Sequence, residues 1–510
     1  MSGTYRIAQP VDLSCDVLVV GSGAGGAAVA ATLTRAGLDV LMVEEGPYVP
    51  AERAPAQLTT AFRRLWRGGG LTAALGAPPV AYAEGRCVGG TTEINSAIFQ
   101  QTPPEVLQAW ARQYGIADFG PEALRPYYAR AAQAVHASPP SEPVGAATER
   151  LRAGGEALGW RVTALERGHR NCVGTNMCAH GCPTGGKQSM SATLIPAALA
   201  KGLRLIAECR VERLVFRRRR VATVLGSARD GHGMRHPVRI RPRQVFLCAG
   251  AIHTPALLRA HGWRRNIGTA LRLHPTIKAA AIFPDTIDAH AFAVPQVAIT
   301  EFMPDVRLGG SLFSPSTFGM FLAEDWGTRA ALMPAWRNAG LYYAMVRGQG
   351  RGSVRPLPGR GTEPLVRYRL APVDWQGLAL GLERVGQALF AAGATRVVPS
   401  IGGHPGWNDP ARCDEFSAGG LPVGRSNLMT IHLAGSAPPG EVEALCATDS
   451  FGRLRGLENL IVADASQIPE APGVNPQATV MALAFRAAEA YLAQPERARR
   501  QRALAEIDRR

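Results

Sequence analysis

The chain has 510 residues, of which 46% are hydrophobic and 19% are charged. This composition excludes a disordered or fibrous protein, and the length favours more than one domain. The formal net charge of +16 comes from 56 basic and 40 acidic residues, but the excess is almost entirely arginine spread along the chain. Dense basic runs occur only at 217–220 and 496–510, where no aromatic residues alternate with the arginines to stack on bases. We expect a solvated turn and a solvated tail there, and no nucleic-acid partner.

Cysteine usage and the first apolar stretch bear on the cellular compartment. The nine cysteines form an odd, scattered set, which argues against a secreted disulfide framework. Residues 17–34 carry no charge, but four glycines interrupt the stretch and acidic residues precede it. This pattern predicts a strand, a turn and a helix instead of a membrane span or an export signal. We expect no transmembrane segment and a cytoplasmic location.

The first strand, turn and helix predict a dinucleotide site. In the run 16–20, the four residues after Asp16 are apolar and rich in β-branched side chains, as a buried parallel strand requires. A G-x-G-x-x-G element, a helix of small residues and a second strand at 40–43 follow in order. The glycines permit a tight turn and the approach of a pyrophosphate, the helix N-terminus holds the phosphate charge, and a carboxylate after the second strand accepts from ribose hydroxyls. This element does not by itself separate NAD from FAD. The predicted contacts are Gly21, Ser22, Gly23, Gly25, Gly26 and Glu44.

Five later segments, taken together, resemble one known family. Residues 85–95 read G-R-C-V-G-G-T-T-E-I-N and resemble the first signature of the glucose–methanol–choline (GMC) oxidoreductases, which are FAD enzymes. Residues 247–255 resemble the second signature, and residues 271–275 resemble the L-x-x-H-P segment of some members. Residues 464–466 and 473–479 resemble the closing FAD and catalytic segments. The chain is similar to the cholesterol-oxidase-like and fatty-alcohol-oxidase-like members and to the bacterial FAD-dependent sugar dehydrogenases of this family.

The resemblance implies an α/β fold with two parts. A Rossmann-like FAD-binding domain would comprise residues 12–100, 195–270 and 428–495, and a discontinuous substrate domain built on an antiparallel sheet would comprise residues 101–194 and 271–427. The implied cofactor is FAD. Besides the residues of the first site, the implied cofactor contacts are Arg86, Gly89, Gly90, Thr91, Asn95, Ser96, Ala97, Val211, Ala249, Gly250, Asp464, Ala465, Pro476 and Gln477. Among these, the resemblance implies that Asn95 to Ala97 lie along the flavin and that Val211 meets the adenine.

The resemblance also implies a catalytic pair. His432 lies in a segment similar to the family's H-x-x-G-S, and Asn475 resembles the asparagine paired with that histidine. Oxidation of an alcohol by a flavin requires a group that takes the hydroxyl proton while a hydride leaves the carbon for flavin N5. A neutral imidazole can take that proton, and an uncharged amide can orient the oxygen. We assign two other histidines structural places, His253 at the helix start beside FAD and His274 at a domain crossover.

These residues lead to a functional expectation. We expect FAD-dependent oxidation of an alcohol or a sugar hydroxyl to the carbonyl, with His432 as general base and electrons passed to an external acceptor. A dehydrogenase is favoured over an oxidase. The alternative is a non-redox enzyme on the same scaffold, such as a lyase or a decarboxylase, because the family includes both.

Three cysteines suggest a second cofactor. Cys172, Cys178 and Cys182 have the spacing C-x5-C-x3-C-P, and three thiolates so close in sequence suit a metal or an iron–sulfur cluster. The segment resembles the one that carries a [3Fe-4S] cluster in bacterial FAD-dependent sugar dehydrogenases. Buried structural thiols and a zinc site that includes His180 are the alternatives. A cluster would favour a cytochrome as acceptor and a small-subunit partner able to carry the folded chain to the periplasm.

Overall fold

The computed structural model describes residues 4–5, 7–292 and 295–494. The basic tail at 496–510 and the last residue of the predicted range 428–495 lie outside these described residues.

An eight-stranded sheet contains the predicted nucleotide-binding element. The strand Val11–Val20 pairs in parallel with Val40–Val43 on one side and with Arg235–Leu247 on the other. Its last four side chains are at most 5% exposed, because a central parallel strand is covered on both faces. The strand order is Thr4–Tyr5, Arg204–Ile206, Val40–Val43, Val11–Val20, Arg235–Leu247, Arg220–Arg229 and Cys209–Arg217, with Leu460–Val462 also parallel to Arg235–Leu247.

Small residues let two helices pack closely on this sheet. Helix Ala24–Arg35 follows the glycine-rich turn and packs against helix Gln477–Leu492 in one hydrophobic cluster. A Cβ on Gly26 would lie 2.0 Å from the carbonyl oxygen of Gly21, and a Cβ on Gly25 would lie 2.0 Å from that of Ala463. Backbone atoms already fill both places, so the packing of this helix itself requires glycine at 25 and 26.

The second sheet has nine strands and is mainly antiparallel. The strand order is Thr72–Ala74, Val80–Tyr82, Leu428–Thr430, Thr276–Ile282, Ala339–Val346, Val306–Gly310, Val297–Ile299 and Val162–Ala164, with Arg396–Pro399 also paired to Thr276–Ile282. Helix Pro372–Ala391 covers it and joins the same hydrophobic cluster. The two sheets confirm the predicted α/β fold, with a Rossmann-like part and a part built on an antiparallel sheet.

Some segments lie in a different sheet from the one their predicted range suggested. The strands Thr72–Ala74, Val80–Tyr82 and Leu428–Thr430 belong to the second sheet, although the sequence placed them in the FAD-binding ranges. Strands of three residues carry too few side chains for their alternation to specify a partner sheet.

A short pairing between distant segments positions the candidate site. Arg272–Leu273 pairs antiparallel with Leu433–Ala434 in the register Arg272 to Ala434 and Leu273 to Leu433. The next residues outward are His274 and His432, so this pairing sets the two imidazoles against each other. Two further short pairs are Ala137–Ser138 with Arg167–Gly168 and Arg351–Pro356 with Pro364–Arg369.

The other helices surround these two sheets. None of the helices in the part of the chain that the structure describes combines the length and the apolar character needed to cross a membrane. The remaining α-helices are Leu58–Leu65, Pro104–Tyr114, Pro121–Ala134, Ala146–Ala157, Leu194–Leu199, Gly250–Ala260, Pro315–Ala323, Trp326–Arg329 and Glu415–Gly419.

Candidate active site

A cleft of about 850 Å³, part of it open to solvent, lies where the parallel strands end. Val20, Val43 and Cys248 mark the ends of three of these strands along its wall. Nucleotides bind at this edge of open α/β sheets. The predicted cofactor residues that line the cleft are Gly21, Ser22, Gly23, Glu44, Gly90, Thr91, Val211, Ala249 and Gly250.

The space beside the Cα of Gly23 is not filled by other atoms of the residues that the structure describes. The nearest atom to a Cβ built on Gly23 is the Cα of Gly90, at 4.0 Å, and Gly23 has an ordinary φ of −66°. Gly21 differs, because it has a φ of +98° and its Cβ would lie 2.3 Å from the carbonyl oxygen of Cys248. Gly23 is also the N-cap of helix Ala24–Arg35, where free N–H groups favour an anion. The space at Gly23 therefore fits a bound pyrophosphate.

Glu44 joins the glycine-rich turn to the second glycine segment. Its buried carboxylate accepts from the N–H (3.1 Å) and the hydroxyl (2.7 Å) of Ser22 and from the N–H of Gly46 (2.9 Å). The same Ser22 hydroxyl accepts the N–H of Gly89 at 3.0 Å. Burial raises the pKa of Glu44. Glu44 thus organises the turn with three hydrogen bonds, which leaves about one acceptor position of its carboxylate for a ribose hydroxyl.

Asn95 and Gln477 connect the second glycine segment to the closing segment. The side-chain N–H of Asn95 donates to Oε1 of Gln477 at 2.7 Å, and Oδ1 of Asn95 accepts the N–H of Ala97 at 3.1 Å. Ser96 lies between Asn95 and Ala97 in sequence, and Pro476 directly precedes Gln477 at the start of the helix Gln477–Leu492. Residues predicted along the flavin from two distant motifs are therefore in direct contact.

Asp464 holds the backbone at the edge of the cleft through hydrogen bonds. Its buried carboxylate accepts the N–H of Gly250 at 2.9 Å and that of Ser466 at 2.8 Å, and Ala465 lies in the same turn. Asp464 therefore fixes the start of the helix Gly250–Ala260, and His253 on this helix lines the cleft. The side chain of Arg86 is 39% exposed, with its guanidinium 3.9 Å from Glu45.

The predicted catalytic pair is assembled, and two further residues join it. Nδ2 of Asn475 lies 3.1 Å from Nε2 of His432. Nδ1 of His274 lies 2.9 Å from Nδ1 of His432, and Nε2 of His274 accepts the N–H of Gly473 at 2.9 Å. The guanidinium of Arg307 donates to Oδ1 of Asn475 at 2.8 Å, which turns the amide nitrogen towards His432.

The two imidazoles cannot satisfy all of these contacts at once. Three contacts connect Gly473, His274, His432 and Asn475, and they require three acceptors, whereas two neutral rings supply two. If Nδ1 of His432 carries the proton, its Nε2 is an acceptor facing Asn475, and the N–H of Gly473 lacks one. If Nδ1 of His274 carries it, Nε2 of His432 is an N–H group. The first arrangement gives His432 a free lone pair at Nε2.

Burial keeps both rings neutral. Burial, with the positive charge of Arg307, lowers the pKa of His432 to about 3. Burial, together with the neighbouring His432 and the positive charges of Arg307 and Arg347, holds the pKa of His274 well below its usual range. His432 is thus in the unprotonated form that a general base requires, although a pKa this low makes it a weak base.

Sequence comparisons identify the family. Residues 62–276 and 349–484 each match a family model described as GMC oxidoreductase, and residues 19–51 match an NAD(P)-binding Rossmann-like domain. A GMC-type oxidoreductase of Sinorhizobium fredii is 54% identical over 506 residues, which cover 99% of this chain and 100% of that protein. The chain belongs to the GMC oxidoreductase family.

More distant relatives and solved structures agree with this assignment. A long-chain-alcohol oxidase of Arabidopsis thaliana is 26% identical over 94% of this chain and 66% of its own length. The crystal structure of pyridoxine 4-oxidase from Mesorbium loti has a TM-score of 0.65 at 20% identity and covers 94% of this chain and 99% of its own. A formate oxidase structure has a TM-score of 0.72 at 14% identity, covering 96% and 100%. These structures share the fold, and the oxidase names give no support to the predicted preference for a dehydrogenase.

Membership of the GMC family supports FAD as the cofactor, and the residues described above fit it. The glycine-rich turn and the space at Gly23 would hold the pyrophosphate, Val211 lies in the cleft where the adenine is expected, and Asn95 with Gln477 lies towards the catalytic pair.

The predicted [3Fe-4S] cluster at Cys172, Cys178 and Cys182 is not supported. Among residues 4–5, 7–292 and 295–494, no three His, Cys, Asp or Glu side chains come together as a metal ion requires, which also counts against zinc at His180. The sulfur of Cys182 accepts the N–H of Lys187 at 3.2 Å. Spacing in sequence did not fix the directions of these side chains.

Three contributions were missed by sequence reasoning. Arg307 lies within an ordinary strand pattern, and no motif marks it. His274 has a partner, His432, that is 158 residues away in sequence. Lys187 is buried and donates to the carbonyl oxygens of Asn95 at 3.1 Å and Cys178 at 2.7 Å, so the cysteine segment supports the segment predicted along the flavin. The L-x-x-H-P resemblance was the one available signal for His274.

The substitution Gly23→Ala tests the cofactor cradle. The new methyl group has space within the chain, so we expect a folded protein with an unchanged circular dichroism spectrum but little bound FAD, measured as flavin absorbance per chain. The matched control is Gly25→Ala, whose methyl group would clash with Ala463 and should reduce the yield of folded protein itself. A Gly23→Ala variant with one FAD per chain would contradict this placement.

The buried histidines predict an acid-sensitive fold. An unfolded histidine titrates near 6.5, whereas His432 in the folded chain titrates near 3. Between these values only the unfolded state takes up the proton, so His432 should destabilise the folded state by up to about 1.4 kcal/mol per pH unit as pH falls. The midpoint of thermal unfolding of the flavin-loaded protein should therefore fall less steeply from pH 7 to pH 4 in His432→Gln. The exposed His232 supplies the control His232→Gln, and equal slopes in all three proteins would refute the prediction.

Proposed function

We propose that this protein is an FAD-dependent oxidoreductase that converts an alcohol to a carbonyl compound, with His432 as the base. The single observation that carries the proposal is the 3.1 Å contact between Nε2 of His432 and Nδ2 of Asn475. It lies two residues from the contact of Gln477 with Asn95, which joins two segments predicted along the flavin. A base and a hydrogen-bond donor thus converge beside the cofactor region.

FAD, when bound, supplies the acceptor for the hydride that leaves the carbinol carbon. The protein supplies the base and the groups that orient the hydroxyl. The amide N–H of Asn475 donates to the hydroxyl oxygen and fixes its position, because Arg307 holds the amide oxygen on the other side. Nε2 of His432 then accepts the hydroxyl proton.

His274 supports the protonated state of His432. After the proton arrives, both nitrogens of His432 carry hydrogen, and Nδ1–H donates to Nδ1 of His274 at 2.9 Å. This contact needs the tautomer of His274 that leaves its Nδ1 free. His274 is therefore a positioning residue that acts through His432.

The names of three of the similar proteins bear on the acceptor that reoxidises the cofactor. These proteins are oxidases of long-chain alcohols, of pyridoxine and of formate. These names favour dioxygen over the one-electron partner that a cluster would have required. An oxygen electrode measurement during turnover distinguishes the two.

Anaerobic mixing tests the proposed chemistry. A panel of long-chain alcohols, pyridoxine and hydroxy acids should include a compound that bleaches the flavin absorbance of the wild-type protein. His432→Gln should stay yellow and bleach about 100- to 10,000-fold more slowly, because it lacks the base. A lyase or a decarboxylase would turn over its substrate with the flavin unbleached, and bleaching of His432→Gln at the wild-type rate would refute the role of His432.

A matched pair of substitutions tests His274. Oδ1 of an asparagine can occupy the place of Nδ1 of His274, whereas leucine offers no acceptor. His274→Leu should lower kcat about 10- to 100-fold, the worth of one hydrogen bond to a charged group, with little change in KM. His274→Asn should retain most of kcat. Equal losses in both variants would show that His274 serves packing only.

A further inference from the structure

Arg307 is a buried cation in the candidate active site. It lies on the strand Val306–Gly310 and is 1% exposed. Its guanidinium donates to the side-chain oxygen of Gln100, to the hydroxyl of Tyr343 at 2.9 Å and to Oδ1 of Asn475 at 2.8 Å. All three partners are neutral. The Nε–H group has no partner within the described residues.

The surroundings of Arg307 differ from those of three other buried arginines. Arg167, Arg272 and Arg329 are at most 5% exposed, and each lies within 4 Å of a carboxylate. Arg486 donates instead to two main-chain carbonyl oxygens. Of the ion pairs formed within residues 4–5, 7–292 and 295–494, none includes Arg307. A buried charge without a counter-charge is unfavourable in general, so an anion bound at this guanidinium would stabilise it.

A second arginine adds to the positive charge. Arg347 is half-buried, donates to the main-chain carbonyl of Ala471 at 3.2 Å and adds to the positive field at His274. The charged groups that act on His274 and His432 are cationic throughout. An anion bound at Arg307 would offset this field and make His432 a stronger base, which the proton transfer requires.

We propose that the substrate is a hydroxy acid and that Arg307 binds its carboxylate. Asn475 touches both Arg307 and His432, so carboxylate and hydroxyl must lie a few bonds apart, as in a 2- or 3-hydroxy acid. The hydroxyl proton passes to His432, the carbinol hydride with its two electrons passes to the bound FAD, and the carbonyl forms while the carboxylate is unchanged. This inference rests on the proposed function and deepens it.

Matched substrate pairs test this inference on the wild-type protein. Lactate, glycerate and 3-hydroxybutyrate are each compared with their primary amides, which keep the shape and lose the charge. At least one acid should bleach the flavin anaerobically with a second-order rate constant at least about tenfold above that of its amide. In calorimetric titrations, acetate should bind and acetamide should bind at least about tenfold more weakly. Faster bleaching by the amides, or by neutral alcohols alone, would overturn the substrate class and leave the proposed oxidation intact.

Substitution of Arg307 provides the second arm. Arg307→Met should reduce the acid-to-amide ratio of rate constants to about one and abolish acetate binding, and Arg307→Lys should retain part of both. The ratio is the informative quantity, because a disturbed Asn475 would slow both members of a pair. Arg347→Met removes a nearby charge without touching Asn475 and should keep the preference. An unchanged ratio in Arg307→Met would refute the assignment. If no alcohol, charged or neutral, bleaches the wild-type protein, the proposed function fails instead.

Discussion

The antiparallel pairing of Arg272–Leu273 with Leu433–Ala434 is the constraint on which the proposed catalytic centre depends. It joins two segments far apart in sequence and sets His274 against His432 with ring centroids 5.0 Å apart. A slip of one residue in this register would turn one of the histidines to the opposite face. The buried leucines on both strands belong to the core of the second sheet, so the same packing that holds the register also keeps water from the rings.

Buried charges are paired on the nucleotide side of the predicted cofactor region and, within the described residues, unpaired on the side of the proposed catalytic residues. On the nucleotide side, Glu45 lies 2.9 Å from Arg67 and within 4 Å of Arg210, and these charges hold the pKa of Glu45 to about 2 despite burial. On the catalytic side, Arg307 is surrounded by neutral groups, and the neighbouring rings are uncharged. The charges on the nucleotide side are paired without a ligand, whereas Arg307 on the catalytic side would be stabilised by a ligand that brings negative charge.

The fold and much of the candidate site were predictable because the sequence motifs that indicate them are local or follow one another in a fixed order along the chain. The turn from Gly21 to Gly26 carries its own backbone requirements, and the segments around His432 and Asn475 resemble known motifs. The role of Arg307 could not be predicted, since alternation along a strand gives the face of a side chain and not its neighbours. The cysteine spacing failed for a related reason, because proximity along the chain does not make three sulfurs converge.

Strands of the two sheets alternate along the chain. The strand Val11–Val20 belongs to the first sheet, Thr72–Ala74 to the second and Arg204–Ile206 to the first again. Later, Thr276–Ile282 belongs to the second sheet and Leu460–Val462 to the first. The strands of the first sheet therefore lie both before and after those of the second sheet along the chain. Each sheet pairs strands that are far apart in sequence, and closure of these long loops slows folding.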